Sequence, residues 1–158
     1  MDTNSSFQAM WDTRPPRIPK EQGGNPLVGG ICEGIGARYN VDVTFVRVVF
    51  AVLALIIGGG IFLYLLCWFT MPRFGTQTSP AQAIFTPKER LSPVVLRDRS
   101  TGWLLLIGLL IFFPSVTLGT DPRAVLAPLA GIFTGFVAWW LLHQRTPTPP
   151  PSLGVHYK

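Results

Sequence analysis

Acidic residues are scarce in this sequence, and over long stretches charge of either sign is missing. Eight Asp and Glu stand against thirteen Lys and Arg, and residues 48–71, 101–120 and 124–142 contain none of the four. A soluble domain would carry about 25% charged residues, whereas here they are 13% and mean hydropathy is +0.37. Apolar runs of that length need lipid as solvent. An ordinary soluble globule is thereby excluded, and the composition indicates an all-α integral membrane protein. Cysteine is nearly absent too. Cys32 and Cys67 stand alone, with no CxxC and no His at ligand spacing, and read as small buried hydrophobes. The two histidines, His143 and His156, read as interfacial or solvated. No paired carboxylates and no Ser/His/Asp set lie beside an apolar run. The chain therefore reads as no enzyme, with no catalytic residue, cofactor or metal assigned. Residues 1–28 lack the apolar core of a secretory signal. The net charge of +5 would suit nucleic acid, but no basic helix or Lys/Arg stripe is present. The cations instead flank the apolar runs, as membrane insertion favours.

What is present divides the chain into five parts. Residues 1–26, rich in Asn, Ser, Gln and Pro, read as a disordered cytoplasmic tail. Residues 27–73 form a membrane domain that begins with a short amphipathic helix over 27–39. There Leu27, Ile31 and Ile35 recur every four residues, with Glu33 and Arg38 off the stripe. Gly30 and Gly34 sit at helix-packing spacing. Asp42 is placed to cap the next helix, and Arg47, one turn on, to anchor it at the headgroups. Segments 43–57 and 61–71 would reach about 22 Å and about 16 Å as helices, and neither alone crosses a core of about 30 Å. Gly58, Gly59 and Gly60 lie between them. Tyr64 and Trp68 share a face, and Pro72 ends the run. Residues 74–100 read as a polar linker. Residues 101–143 follow as a two-helix transmembrane hairpin, broken at 119–123 and kinked by Pro114 and Pro128. Gly131 and Gly135 form its packing face, and Trp103, Trp139 and Trp140 its interfacial anchors. Residues 144–158 read as a Pro-rich disordered tail.

Charge decides between two topologies. If 43–71 crosses once, with a kink at the glycines, Lys and Arg divide six against seven across the membrane. If it dips in and returns, they divide twelve against one. The second division is what the positive-inside rule favours, so the reading is a re-entrant glycine-broken helical hairpin with both termini cytoplasmic. The kinked single span is the alternative.

An ordered set of residues then resembles the PspC domain family, the phage-shock-protein C type of bacterial envelope protein. The set is Gly29-Gly30-Ile31-Cys32, Gly34, Asp42, Val46-Arg47, Gly58-Gly59-Gly60, Tyr64, Trp68 and Met71-Pro72. It covers about residues 25–74. The family often has Asp-Pro where this chain has Asp42-Val43, and Ala where it has Glu33. The resemblance implies a multi-pass protein of the bacterial cytoplasmic (inner) membrane. Its role would be sensing or relaying membrane stress through contacts, with no chemical step. Membrane lipids are implied as surroundings, and a PspA-like peripheral protein or a sensor kinase as partner; a homo-oligomer is compatible. A transporter or channel accessory subunit is the alternative from another class. It would need polar groups at membrane depth, where this chain offers Thr44, Thr70, Ser115, Thr117 and Thr134.

Overall fold

The structure is a computed structural model that describes residues 3–57, 59–112 and 122–157. Among these the chain is all-helical, with no named strand: α1 (Thr3–Asp12), α2 (Ile31–Tyr39), α3 (Val43–Val52), α4 (Gly60–Thr70), α5 (Pro80–Phe85), α6 (Pro93–Phe112) and α7 (Pro122–Arg145). Gly58 and residues 113–121, with the expected kink at Pro114, lie outside the described residues.

The chain doubles back between α3 and α4. Asp42 caps α3 by accepting from the Phe45 amide at 3.0 Å. Its last turn widens into a π turn, Leu53–Ile57, a local loosening of the helical ladder. Beyond the glycines α4 returns along α3. Gly60 lies against the Ala54 backbone, and lower down the Phe50 and Tyr64 rings meet edge to face at 5.2 Å. Pairs 54/60 and 50/64 are the signature of an antiparallel hairpin.

α4 sits at the centre of the bundle, packed on α2, α3, α5, α6 and α7. At the hairpin tip, Gly59 meets the backbone of α7. A Cβ added at Gly131 would stand 2.9 Å from the Gly59 carbonyl oxygen, and one added at Gly135 2.7 Å from Leu63. The Gly131/Gly135 face was expected to pack the two helices of a C-terminal hairpin on each other; it receives α4 instead.

One described helix segment, Val125–Arg145, is long and apolar enough to cross a membrane. The expected two-helix hairpin is not seen as such. α6 starts at Pro93, inside the stretch read as linker, and its described apolar part, 102–112, is too short to span. Bundle-facing residues of α6 (Asp98, Gly102, Leu105, Leu109) are buried, while Leu104, Ile107 and Leu110 are exposed. On α7, Leu126, Phe133 and Phe136 are exposed too. Exposed apolar faces of this extent mark a surface meant for something other than water.

Among the described residues, the stretches expected as disordered tails and the stretch read as a polar linker carry defined structure. Residues 3–12 are helical, 14–17 are buried, and 146–157 dock beside them. In the linker, Ser79 and Gln82 close a capping box on α5, and Gly102 lets α6 approach the Pro80 carbonyl. The start of α2 also shifts, from 27 to 31. Gly29 and Gly30 adopt φ of 66° and 76°, left-handed values that a helix of L-residues does not accept.

The close approach at Gly131 yields a sign contrast. Gly131→Ala should lower the thermal midpoint in detergent: it forces Gly59 and α7 apart, at about 1–3 kcal/mol, which outweighs the helix-propensity gain. Gly108→Ala meets only Leu65 at 3.5 Å and should raise it, by about 0.5–1 kcal/mol of propensity. Equal shifts for both would mean the contact is not tight.

Candidate functional site: a polar junction at the base of the hairpin

Four segments distant in sequence meet where α4 ends. The Arg17 amide donates to the Pro72 carbonyl at 2.7 Å, and the Phe74 amide donates to the Arg17 carbonyl at 2.9 Å. Residues 17 and 73 thus pair as a short parallel bridge. The Arg17 guanidinium donates through Nε to the Met71 carbonyl and lies 3.4 Å from Asp98 of α6. Arg73 approaches the same carboxylate at 3.9 Å and also pairs with Glu21. Arg17 and Asp98 are both buried. Burial lowers the Arg17 pKa from its ordinary value, and the Asp98 charge opposes that shift. Asp98 faces both guanidinium groups and Glu21 takes the other side of Arg73, so two carboxylates answer two cations; opposite charge close by is the condition for a buried ionic group to persist.

Arg38 is a second hub. It is 1% exposed, where the sequence suggested a surface residue. Its Nε donates to the Thr13 carbonyl at 2.8 Å, Nη1 to Thr146 at 3.0 Å and Nη2 to Pro147 at 3.0 Å. One side chain therefore ties the N-terminal segment to the chain beyond α7. Tyr157 adds to the tie by donating to the Arg14 carbonyl at 2.9 Å, and burial pushes its hydroxyl up to about 12. His156, expected in solvent, is 5% exposed. Its Nδ1 accepts from the Gly75 amide at 3.2 Å and its ring stacks on Phe74. Burial and the nearby Arg14 lower its pKa.

The residues singled out by sequence fall around this junction and along the hairpin above it. Arg47 pairs with Glu33 and donates to the Asn25 carbonyl at 2.8 Å. Glu33 is buried by that pair. The Tyr64 hydroxyl donates to the Val28 carbonyl, and Trp68 lies against Gly29, where a Cβ would come within 3.0 Å of the indole. Gly30 and Gly34 do pack on backbone, but on the N-terminal segment: Cβ atoms there would strike the Ile18 and Pro16 carbonyls. Pro72 ends α4 and offers its carbonyl to Arg17. Gly59, Gly60, Gly131 and Gly135 gather at the tip, away from the junction, while Gly58 lies outside the described residues. The sequence reading missed Arg17, Arg38, Asp98 and His156. Among the described residues no group of three or more His, Cys, Asp or Glu could hold a metal. The arrangement is one of guanidinium groups on carbonyls and carboxylates. It fastens segments together.

The architecture is thus that of a helical-hairpin protein with a long apolar helix and a polar junction at one end. The PspC domain family model matches residues 23–73, so this segment, α2 through α4, is a PspC domain. No curated protein and no solved structure matches the chain. A PspC domain points to the phage-shock type of stress response, and together with the apolar helix it points to a membrane protein.

Asp98→Ala should cost about 3–5 kcal/mol, because the buried Arg17 would be left as an uncompensated charge while Arg73 kept Glu21 alone. Unfolding of the solubilised chain measures this; a loss under about 1 kcal/mol would mean that water already solvates the pair. His156 supplies a pH test. Its folded-state pKa is depressed below 6.5, so the unfolded chain binds more protons between the two values and stability rises with pH there. The contribution is complete above 6.5 and is lost as pH falls through the depressed value. The thermal midpoint should drop on acidification below 6.5 by more in the wild type than in His156→Gln; parallel curves would refute the assignment.

Proposed function

We propose that this chain is a non-enzymatic protein of the bacterial inner membrane that relays membrane perturbation in a phage-shock-type stress response through protein–protein contacts. The observation that carries the reading is the antiparallel α3–α4 hairpin within the PspC-matched segment. Its base is held in a polar junction, and its tip lies against α7. In this reading the hairpin is re-entrant. The tip contact at Gly131 is about 21 Å along α7 from Arg145 at 1.5 Å per residue, a depth within a hydrocarbon core of about 30 Å. Backbone at such a tip must be covered by protein, and α7 covers it.

The topology has the N-terminal segment, residues 73–100 and the chain beyond α7 together on the cytoplasmic side. The polar contacts support this, since Arg17, Arg73 and Asp98 bring the first two segments together and Arg38 ties Thr13 to Thr146. The twelve-to-one distribution of Lys and Arg supports it independently. The apolar run that α6 opens and α7 then serve as the two spans. The partners are membrane lipids and a PspA-like peripheral protein or a sensor kinase. The region around the junction, which lies outside lipid in this topology, is where such a partner would bind.

A cysteine at the exposed Glu89, with Cys32 and Cys67 replaced by Ser, tests the topology. It should resist a membrane-impermeant thiol reagent in intact cells and react after lysis. Labelling from outside would put 73–100 across the membrane from the N-terminus and sink the re-entrant reading. The relay is tested in the host. Deleting the chain should abolish the transcriptional response to collapse of the proton-motive force, and restoring it should recover that response. An unchanged response would overturn the role.

A further inference from the structure

On the side of α6 turned away from the bundle lies a cavity of about 480 Å³, lined by Lys88, Leu96, Arg99, Ser100 and Trp103. Leu96, Arg99, Ser100 and Trp103 follow one another at helical spacing and form one stripe, opposite the buried stripe of Asp98, Gly102 and Leu105. The lining brings two cations, a hydroxyl, an indole and an aliphatic side chain to one hollow, and no carboxylate. Of the acids nearby, Asp98 faces Arg17 and Arg73, Glu21 pairs with Arg73 and Arg97, and Glu89, next to Lys88, is exposed and outside the lining. Arg99 is held in place by donating through Nη1 to the Thr86 carbonyl at 2.8 Å. Lys88 is exposed at the opposite rim.

The position along α6 is as telling as the composition. Arg97 and Arg99 precede the cavity's Ser100, and from Gly102 onward the helix is apolar. For a helix entering a bilayer this change of character marks the headgroup level, where Trp is enriched and Lys and Arg meet lipid phosphates. We propose that this cavity binds the headgroup of an anionic phospholipid, its phosphate between Lys88 and Arg99 and its glycerol–acyl region against Trp103 and Leu96. The proposal rests on the membrane reading above and adds a specific lipid class to it. The site would fasten the start of α6, and through Asp98 the junction, to the composition of one leaflet.

The test uses the full chain in phosphatidylcholine vesicles containing a small fraction of brominated lipid. Trp103 emission is taken as the difference between wild type and Trp103→Phe. Brominated phosphatidylglycerol should quench it at lower lipid fraction than brominated phosphatidylcholine does. Lys88→Gln should reduce that preference about fivefold, the effect of one cation at a membrane surface. Arg99→Gln should do the same, but Lys88, exposed and remote from the packing, decides if Arg99→Gln misfolds. Equal quenching by both lipids would overturn the site while leaving the membrane placement intact. Absence of quenching by either would overturn both. A preference erased by inorganic phosphate in the bath would reassign the cavity to a water-soluble phosphate and overturn the lipid proposal.

Discussion

Asp98 stands between Arg17 and Arg73, with Glu21 on the far side of Arg73, and the pairing of those charges is the constraint on which the rest of the structure depends. A buried guanidinium without a counter-charge costs several kcal/mol, and so does a buried carboxylate. None of the three segments carrying them could enter the junction alone. Together they fix a register. Arg17 reaches Asp98 while its own backbone bridges Pro72 and Phe74, so the N-terminal segment must run along the exit of α4. Asp98 in turn fixes the rotation of α6, which turns Gly102, Leu105 and Leu109 inward. The ion pairs contribute little net stability by this argument; what they contribute is the arrangement.

Above the junction the governing term changes from charge to distance between backbones. In lipid, helices gain nothing by hiding apolar side chains from one another, and close packing of small residues has to hold them. Gly59 against Gly131 and Leu63 against Gly135 meet that requirement. α2 meets a corresponding problem of its own. With three glycines at and within it, it would not hold as an isolated helix. It is stabilised because Gly30 and Gly34 admit the Ile18 and Pro16 carbonyls, and because Ile31 and Tyr39 are buried. The same residues that weaken the helix locally permit the contacts that retain it.

The parts of this fold legible in the sequence were those written in local pattern. Charge-free runs gave the apolar helices, Asp42 gave the start of α3, and the triple glycine gave the turn. The ordered PspC residues gave the domain over 23–73. The junction was illegible because its stabilisation is tertiary. Arg38 and Glu33 lie off an apolar stripe, and periodicity assigns such residues to the surface; their burial depends on carbonyls and a cation from segments far along the chain. The tails were misread for the same reason, since a Pro- and Arg-bearing segment has no core of its own but can lend carbonyls to one. Some signals were readable. Ser79-Pro80 with Gln82 is a capping-box start, and Pro93 fits a first helical position, which would have moved the start of α6 into the linker.

The two ends of the hairpin are held by interactions of unlike kind, and in the proposed topology that difference sets how it would respond. The base is fastened by Glu33–Arg47, Tyr64–Val28 and the Pro72–Arg17 bond, none of which depends on the packing of acyl chains. The tip is held by van der Waals contact of glycine backbones within the apolar layer, which shares its space with lipid. A change in lateral packing acts first on the tip. α4 is continuous from the tip region to Thr70, and its exit carries the carbonyl that Arg17 reads. Displacement at Gly59 therefore bears on the strap between residues 17 and 73, and through Asp98 on α6. In the proposed topology the bilayer and the proposed partner would act on the two ends of one helix.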